Sequence, residues 1–93
     1  NVSLCFDPAH ANVFSIISLD RWVRSLSPFL GELHLHNNSG NWDEHRGLNL
    51  GLIDFGKLLK LIAELNKNIP IITLETHNEE EFWPSLEYLK RIW

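Results

Sequence analysis

The sequence feature that most constrains the fold is a repeated alternation of short apolar runs with longer amphipathic stretches. The short runs have the length and alternating pattern of β-strands, and they occupy 2–6, 32–36 and 71–75. Apolar residues at helical spacing predict helices over 18–30, after an N-cap at Asp54, and from an N-cap at Asn78 to about Arg91. Strands that alternate with helices form right-handed βαβ units, so an α/β fold with parallel strands is expected.

Each predicted strand has one apolar face and one mixed face that becomes ionisable toward its C-terminal end. In the second strand, Leu33 and Leu35 oppose His34 and His36. An open sheet with helices on both sides needs two apolar faces, whereas a TIM barrel binds ligands at the C-terminal mouth of its strands. Three strands cannot close a barrel and leave two open edges. Residues 1–93 are therefore interpreted as three β/α units of an incomplete (β/α)8 barrel, completed by other polypeptide or an oligomer partner.

Composition excludes several classes of protein. The net charge of −4 and the pI near 5.6 make nucleic acid an unlikely partner, because no basic field would attract its phosphates. No apolar stretch approaches the roughly 18–20 residues needed to span a bilayer, so no membrane association is expected. The single cysteine, Cys5, excludes an intrachain disulfide and fits a reducing, cytoplasmic location. The chain begins at Asn1 rather than methionine, which predicts a cleaved product or an excised fragment.

The predicted strand ends direct ionisable side chains toward one point. Asp7, His34 and Glu75 offer two carboxylates and an imidazole, a donor set suited to Zn²⁺, Mn²⁺ or Mg²⁺. His10 is placed in the loop after the first strand, three residues beyond Asp7. The remaining candidates for a second metal or for substrate binding are His36, Asp43 and His45.

Each of these residues also has an ordinary structural explanation. Asp7 before a proline is a common turn former, Glu75 could cap the next helix, and residues 43–46 could form a solvated loop tip. Six ligand-type residues at strand ends and in the following loops are harder to explain in that way, so a metal site is favoured. Residues 79–81 are interpreted as a solvated helix start, and His77 as a neighbour of the site.

Five segments, in this order, resemble the xylose-isomerase-like superfamily, which includes sugar isomerases, epimerases and endonuclease IV. Residues 5–12 resemble its Asp-x-x-His segment, and 34–38 its His-Leu-His-Asp-Asn strand end. Residues 43–45 and 49–55 resemble its Asp-x-His and Gly-x-Gly-x-Ile-Asp-Phe run, and 72–75 its final strand, so the chain would be the C-terminal part of the barrel. Two departures are Asn37 in place of Asp, which would alter the charge around the metal, and Asn49 in place of the first Gly, which would change the path of the loop.

The resemblance implies roles for the candidate residues. Asp7, His34 and Glu75 would bind the metal that most members share, with a fourth ligand, a Glu, from an earlier strand that is absent here. In members similar to endonuclease IV, an AP endonuclease of family 2, the positions of His10, Asp43 and His45 hold a further zinc ion. In the epimerases, the position of His10 contacts substrate instead.

Three functions remain open from the sequence. The leading hypothesis is a metal-dependent isomerase or epimerase of a sugar or sugar-like compound, in which Glu75 and the absent Glu move a proton through a metal-stabilised enediolate. The first alternative is a zinc phosphodiesterase acting on abasic DNA, which the acidic balance and the lack of a basic loop disfavour. The second is an inactive fragment or assembly piece that lacks the N-terminal half of the site.

Overall fold

In the computed structural model, which describes residues 2–66, 68 and 70–93, strands and helices alternate along the chain. Their bounds are β1 Leu4–Phe6, α1 Pro8–Phe14, α2 Leu19–Leu26, β2 Leu30–Leu35, α3 Phe55–Leu65, β3 Ile71–Leu74 and α4 Glu79–Ile92. Within these residues the strands form one parallel sheet in the order β1-β2-β3. The predicted α/β fold with parallel strands is confirmed.

The register of the sheet decides which side chains share a face. Cys5 pairs with Glu32 between β1 and β2, and His34 pairs with Thr73 between β2 and β3. Because side chains alternate along a strand, these polar residues lie on the face opposite Leu33 and its neighbours. The apolar face packs under the helices, and its fully buried core includes Leu33, Leu35, Phe55, Leu59 and Ile62.

Three of the helices begin at the N-caps that the sequence predicts. The side chains of Ser18, Asp54 and Asn78 each accept a hydrogen bond from the backbone N–H three residues later. This contact satisfies a donor that the first turn of a helix otherwise leaves without a partner. The cap positions therefore fix where α2, α3 and α4 start relative to the strands.

Helix α1 was not predicted, because the segment after β1 was interpreted as a loop. Asp7 is its N-cap and Pro8 stands in its first turn, where a missing N–H costs nothing. His10 is therefore a helical residue, which corrects its predicted position in a loop. The predicted helix over 18–30 is also too long: α2 ends at Leu26, a 3-10 turn covers Ser27–Phe29, and Leu30 already begins β2.

The outer strands of the sheet leave apolar side chains uncovered. Val2, before β1, is 97% exposed, and Ile71 of β3 is 69% exposed. Open edges with uncovered apolar residues fit three strands of a larger barrel. Among the described helices, none is both long enough and apolar enough to cross a lipid bilayer.

Candidate metal centre

Three side chains from the ends of the three strands meet at the C-terminal edge of the sheet. Asp7 directly follows β1, His34 lies near the end of β2, and Glu75 directly follows β3. Their ligand atoms all lie within 4.8 Å of one another, and Nδ1 of His34 contacts Oε1 of Glu75. We call this group the upper site. The structure therefore brings together the three residues that the sequence predicts as metal ligands.

Asp7 joins the upper site to a second group of polar side chains. Its Oδ1 accepts a hydrogen bond from the backbone N–H of His10 at 3.0 Å. Its Oδ2 lies 2.9 Å from Nε2 of His36 and 3.0 Å from Nδ1 of His10. Burial alone would raise the pKa of the Asp7 carboxyl, but the hydrogen bonds from His36 and His10 hold that pKa below its ordinary value. The Asp7 carboxylate is therefore anionic at neutral pH.

The second group, which we call the loop cluster, consists of His10, His36, Asp43 and His45. Oδ2 of Asp43 lies 3.1 Å from Nε2 of His10 and 3.2 Å from Nε2 of His45. The other ring nitrogen of His45, Nδ1, donates to the backbone carbonyl of Glu75 at 2.8 Å. This contact holds the His45 ring so that Nε2 faces the Asp43 carboxylate.

Two buried polar atoms in the loop cluster have no hydrogen-bond partner. They are Nδ1 of His36, whose side chain is fully buried, and Oδ1 of Asp43. Nε2 of His45 lies 3.1 Å from this oxygen, but its hydrogen bond goes to the other one, Oδ2. Buried polar atoms are normally paired, so these two are left for water, an ion or a ligand to satisfy.

Two histidines of the loop cluster, His36 and His45, stack in parallel with a third, His77. The centroids of His36 and His45 are 3.8 Å apart with an interplanar angle of 6°, and those of His45 and His77 are 4.3 Å apart at 4°. His45 adopts a positive φ of 52°, which is uncommon for a residue other than glycine. The stack holds the His45 ring in place, and His77 is a neighbour of the site, as predicted.

The segment that carries Asp43 and His45 is fastened to the first turns of α4. Oε1 of Glu81 accepts from Nε of Arg46 at 2.8 Å and from the backbone N–H of Gly47 at 2.9 Å. Oγ of Ser85 accepts from the backbone N–H of Leu48 at 3.0 Å. The prediction of a solvated helix start is therefore wrong for Glu81, because the loop after β2 folds back onto α4.

Sequence reasoning missed a third group on the same face of the sheet, one pleat below the upper site. Ligand atoms of Cys5, Glu32 and His34 all lie within 4.8 Å of one another. A usable signal was present in the sequence, because Cys5 and Glu32 stand two residues before Asp7 and His34 and therefore share their face.

The fold and the site together define the class of architecture. Three parallel β/α units with ionisable residues at the strand ends are part of a TIM barrel. Among solved structures, the chain is similar to the crystal structure of a D-tagatose 3-epimerase-like protein, with a TM-score of 0.86 and 28% sequence identity. The match covers 99% of this chain and 34% of that chain, so the chain spans about a third of that protein's length. This likeness supports a xylose-isomerase-like fold.

Two other comparisons found no relatives. No protein-family model matches the sequence, and no curated protein matches it. The comparisons give no support to the phosphodiesterase or inactive-fragment alternatives. The metal-binding and catalytic roles of the site residues, the assignment of 1–93 as the C-terminal part of the barrel and the cytoplasmic location all stay predictions.

Proposed function

We propose that this chain carries part of the active site of a metal-dependent isomerase or epimerase that acts on a sugar or a similar polyhydroxy carbonyl compound. The observation that carries the proposal is the meeting of Asp7, His34 and Glu75 at the C-terminal ends of three neighbouring barrel strands. The similarity to a D-tagatose 3-epimerase-like protein supports the choice of substrate class. As the chain spans about a third of that protein, the remaining barrel strands would supply the rest of the site.

The residues of the upper site fit a divalent cation. Two carboxylates and one imidazole, with ligand atoms within 4.8 Å of one another, match the oxygen and nitrogen donors that Zn²⁺, Mn²⁺ and Mg²⁺ accept. The negative charges of Asp7 and Glu75 also favour a cation. In the described part of the chain, these two carboxylates pair with histidines only, not with Lys or Arg. A cation held by Asp7, His34 and Glu75 would polarise the carbonyl group of the substrate.

In this proposal, Glu75 is also the group that moves a proton. Its carboxylate would take the proton from the carbon beside the substrate carbonyl, and a second carboxylate from another barrel strand would act on the opposite side. His34 lies against Oε1 of Glu75 and orients that carboxylate. The exposed fraction of the Glu75 side chain is 30%, so the carboxylate is reachable from the mouth of the barrel.

The loop cluster would bind the hydroxyl groups of the substrate. One ligand atom of each of its four residues lies within 4.8 Å of the others, and two polar atoms of the group, Oδ1 of Asp43 and Nδ1 of His36, have no hydrogen-bond partner. Sugar hydroxyls both donate and accept hydrogen bonds, so they can satisfy carboxylate and imidazole atoms of this kind. A second metal ion in the loop cluster is the competing outcome, and metal counting in a variant at Asp43 separates the two.

The experiment compares Glu75→Gln with the unchanged protein, using the complete protein loaded with Mn²⁺ or Mg²⁺. A panel of ketoses is incubated in deuterated water, and exchange of the carbon-bound hydrogen and formation of the epimer are followed by NMR. We expect loss of exchange in Glu75→Gln and full activity in the matched control Glu80→Gln, because Glu80 is an exposed residue in the first turn of α4. Absence of exchange with every ketose in the metal-loaded unchanged protein would reject the proposal.

A further inference from the structure

The two ring nitrogens of His34 face two different groups of ligand atoms. Nδ1 contacts Glu75 in the upper site, whereas Nε2 points toward Glu32, 3.6 Å from its Oε1. Cys5 belongs to the group with Glu32 and His34, in which one ligand atom of each residue lies within 4.8 Å of the others. We call Cys5, Glu32 and Nε2 of His34 the lower site.

The separation between His34 and Glu32 fits a shared cation better than a hydrogen bond. A distance of 3.6 Å between Nε2 and Oε1 is too long for a hydrogen bond. Two ligand atoms on one tetrahedral ion, each bonded at about 2.1 Å, lie roughly 3.4 Å apart. The distance between Nε2 of His34 and Oε1 of Glu32 is therefore close to that between two ligands of one metal ion.

The surroundings of Glu32 fix its carboxylate without neutralising it. Oγ1 of Thr73 donates to Oε1 of Glu32 at 3.0 Å, which holds the group on the face of the sheet shared with Cys5 and His34. In the described part of the chain, the ion pair of Glu32 is with His34 alone, with no Lys or Arg. An outer hydrogen bond of this kind is what orients a carboxylate that binds metal.

We propose that Cys5, Glu32 and His34 form a second metal site that takes Zn²⁺ and that shares the His34 imidazole with the upper site. A thiolate, a carboxylate and an imidazole are ligands that zinc accepts together, whereas Mg²⁺ avoids thiolate. Zinc binding would release the proton of the Cys5 thiol to solvent as the sulfur–zinc bond forms. When both sites are filled, the N–H proton of His34 would leave to solvent as well, because one imidazole binds two ions only as imidazolate. The lower site shares only His34 with the proposed sugar isomerase site, so it does not depend on the activity proposed above.

The test uses the complete protein loaded with Co²⁺, a spectroscopic substitute for zinc. A cobalt–thiolate bond gives a charge-transfer absorption in the near ultraviolet that oxygen and nitrogen ligands do not give. We expect this absorption in the unchanged protein, its loss in Cys5→Ser, and a fall of one metal equivalent per chain in that variant. The variant Asp7→Asn, which removes an upper-site ligand only, should keep the absorption while losing metal from the upper site.

Two further measurements show whether the substituted protein still folds and whether the metal binds at Cys5. Circular dichroism of Cys5→Ser should match that of the unchanged protein, and if it does not, Glu32→Gln serves as the second variant and should weaken the absorption. Zinc should also slow the reaction of Cys5 with a thiol reagent at least tenfold, and magnesium should not. Absence of the absorption in cobalt-loaded protein, or its persistence in Cys5→Ser, would overturn the lower site and leave the upper site standing.

Discussion

The side-chain amide of Asn37 occupies the space that a β-carbon on Gly51 would need. A β-carbon built at residue 51 contacts Oδ1 and Cγ of Asn37 and lies 2.6 Å from the backbone oxygen of Asn38. Asn37 is fully buried, and Gly51 belongs to the long loop that ends at α3. The pair therefore determines the path by which the loop after β2 returns to the sheet.

Asn37→Asp should destabilise the protein, because the buried side chain uses all of its hydrogen-bonding capacity. Nδ2 donates to the carbonyls of Leu48 and Ile53 at 2.8 and 3.0 Å, and Oδ1 accepts from the backbone N–H groups of Asn38 and Ile53. An aspartate at this position would direct an oxygen at two carbonyl oxygens. We expect a loss of about 1–3 kcal/mol or more in the free energy of unfolding, measured by urea denaturation. An unchanged free energy would contradict this role of the amide.

Gly51→Ala should destabilise the protein, whereas Gly56→Ala should not. At Gly51, the Asn37 side chain and the backbone oxygen of Asn38 leave no room for a methyl group. Alanine there should therefore lower the free energy of unfolding by about 1–3 kcal/mol. At Gly56, inside α3, a β-carbon meets its nearest neighbour at 3.4 Å, which is ordinary contact. Alanine is favoured over glycine in a helix interior by about 1 kcal/mol. Gly56 stands in the first turn of α3, where the gain is smaller, so this control should leave the unfolding temperature unchanged or slightly higher. Equal effects of the two substitutions would contradict the explanation.

The hydrogen bonds of Glu81 should make part of the free energy of unfolding depend on pH in the acid range. Hydrogen bonds from Arg46, from the backbone N–H of Gly47 and from Asn78 lower the pKa of the Glu81 carboxyl from 4.5 to about 2. Because the pKa is lower in the folded protein, the stabilisation is complete above pH 4.5 and is lost as the pH falls toward 2.

The substitution Glu81→Gln tests this dependence. We expect a lower unfolding temperature than that of the unchanged protein at pH 7 and a smaller difference between the two at pH 3. Glu80→Gln is the control, since Glu80 is exposed in the same turn of α4. Thermal unfolding followed by circular dichroism measures both, and a constant difference between pH 7 and pH 3 would contradict the assigned cause.

Much of the fold could be predicted from local sequence signals. The caps at Ser18, Asp54 and Asn78 and the alternation in β2 depend on neighbouring residues alone, and the structure confirms them. Helix α1 was missed because seven residues give too short an apolar pattern, although Asp7 followed by proline is a helix start as well as a turn signal. In such a short segment, packing against β2 decides between the two.

The meeting of the upper-site residues could be predicted from the sequence, but the contacts that hold the loop after β2 in place could not. Parallel strands place their C-terminal ends at one edge, so the meeting of Asp7, His34 and Glu75 follows from topology. The role of Glu81 depends on where the long loop returns, which no local pattern encodes. Both departures from the superfamily pattern that the sequence resembles have a structural explanation. The side-chain amide of Asn37 holds the loop after β2 through hydrogen bonds. Asn49 is exposed and has no positive φ that would require glycine.

Asp43→Asn tests whether the loop cluster binds substrate. Asp43 lies within 3.2 Å of Nε2 of both His10 and His45, and none of its atoms belongs to the upper site. A hydrogen bond to a charged group contributes about 1.5–3 kcal/mol, so KM should rise about 10- to 100-fold once the charge is removed. The metal content of the upper site should not change, and kcat should change much less than KM. A loss of one metal equivalent in Asp43→Asn, detected by elemental analysis, would instead identify the loop cluster as a metal site in addition to the upper and lower sites.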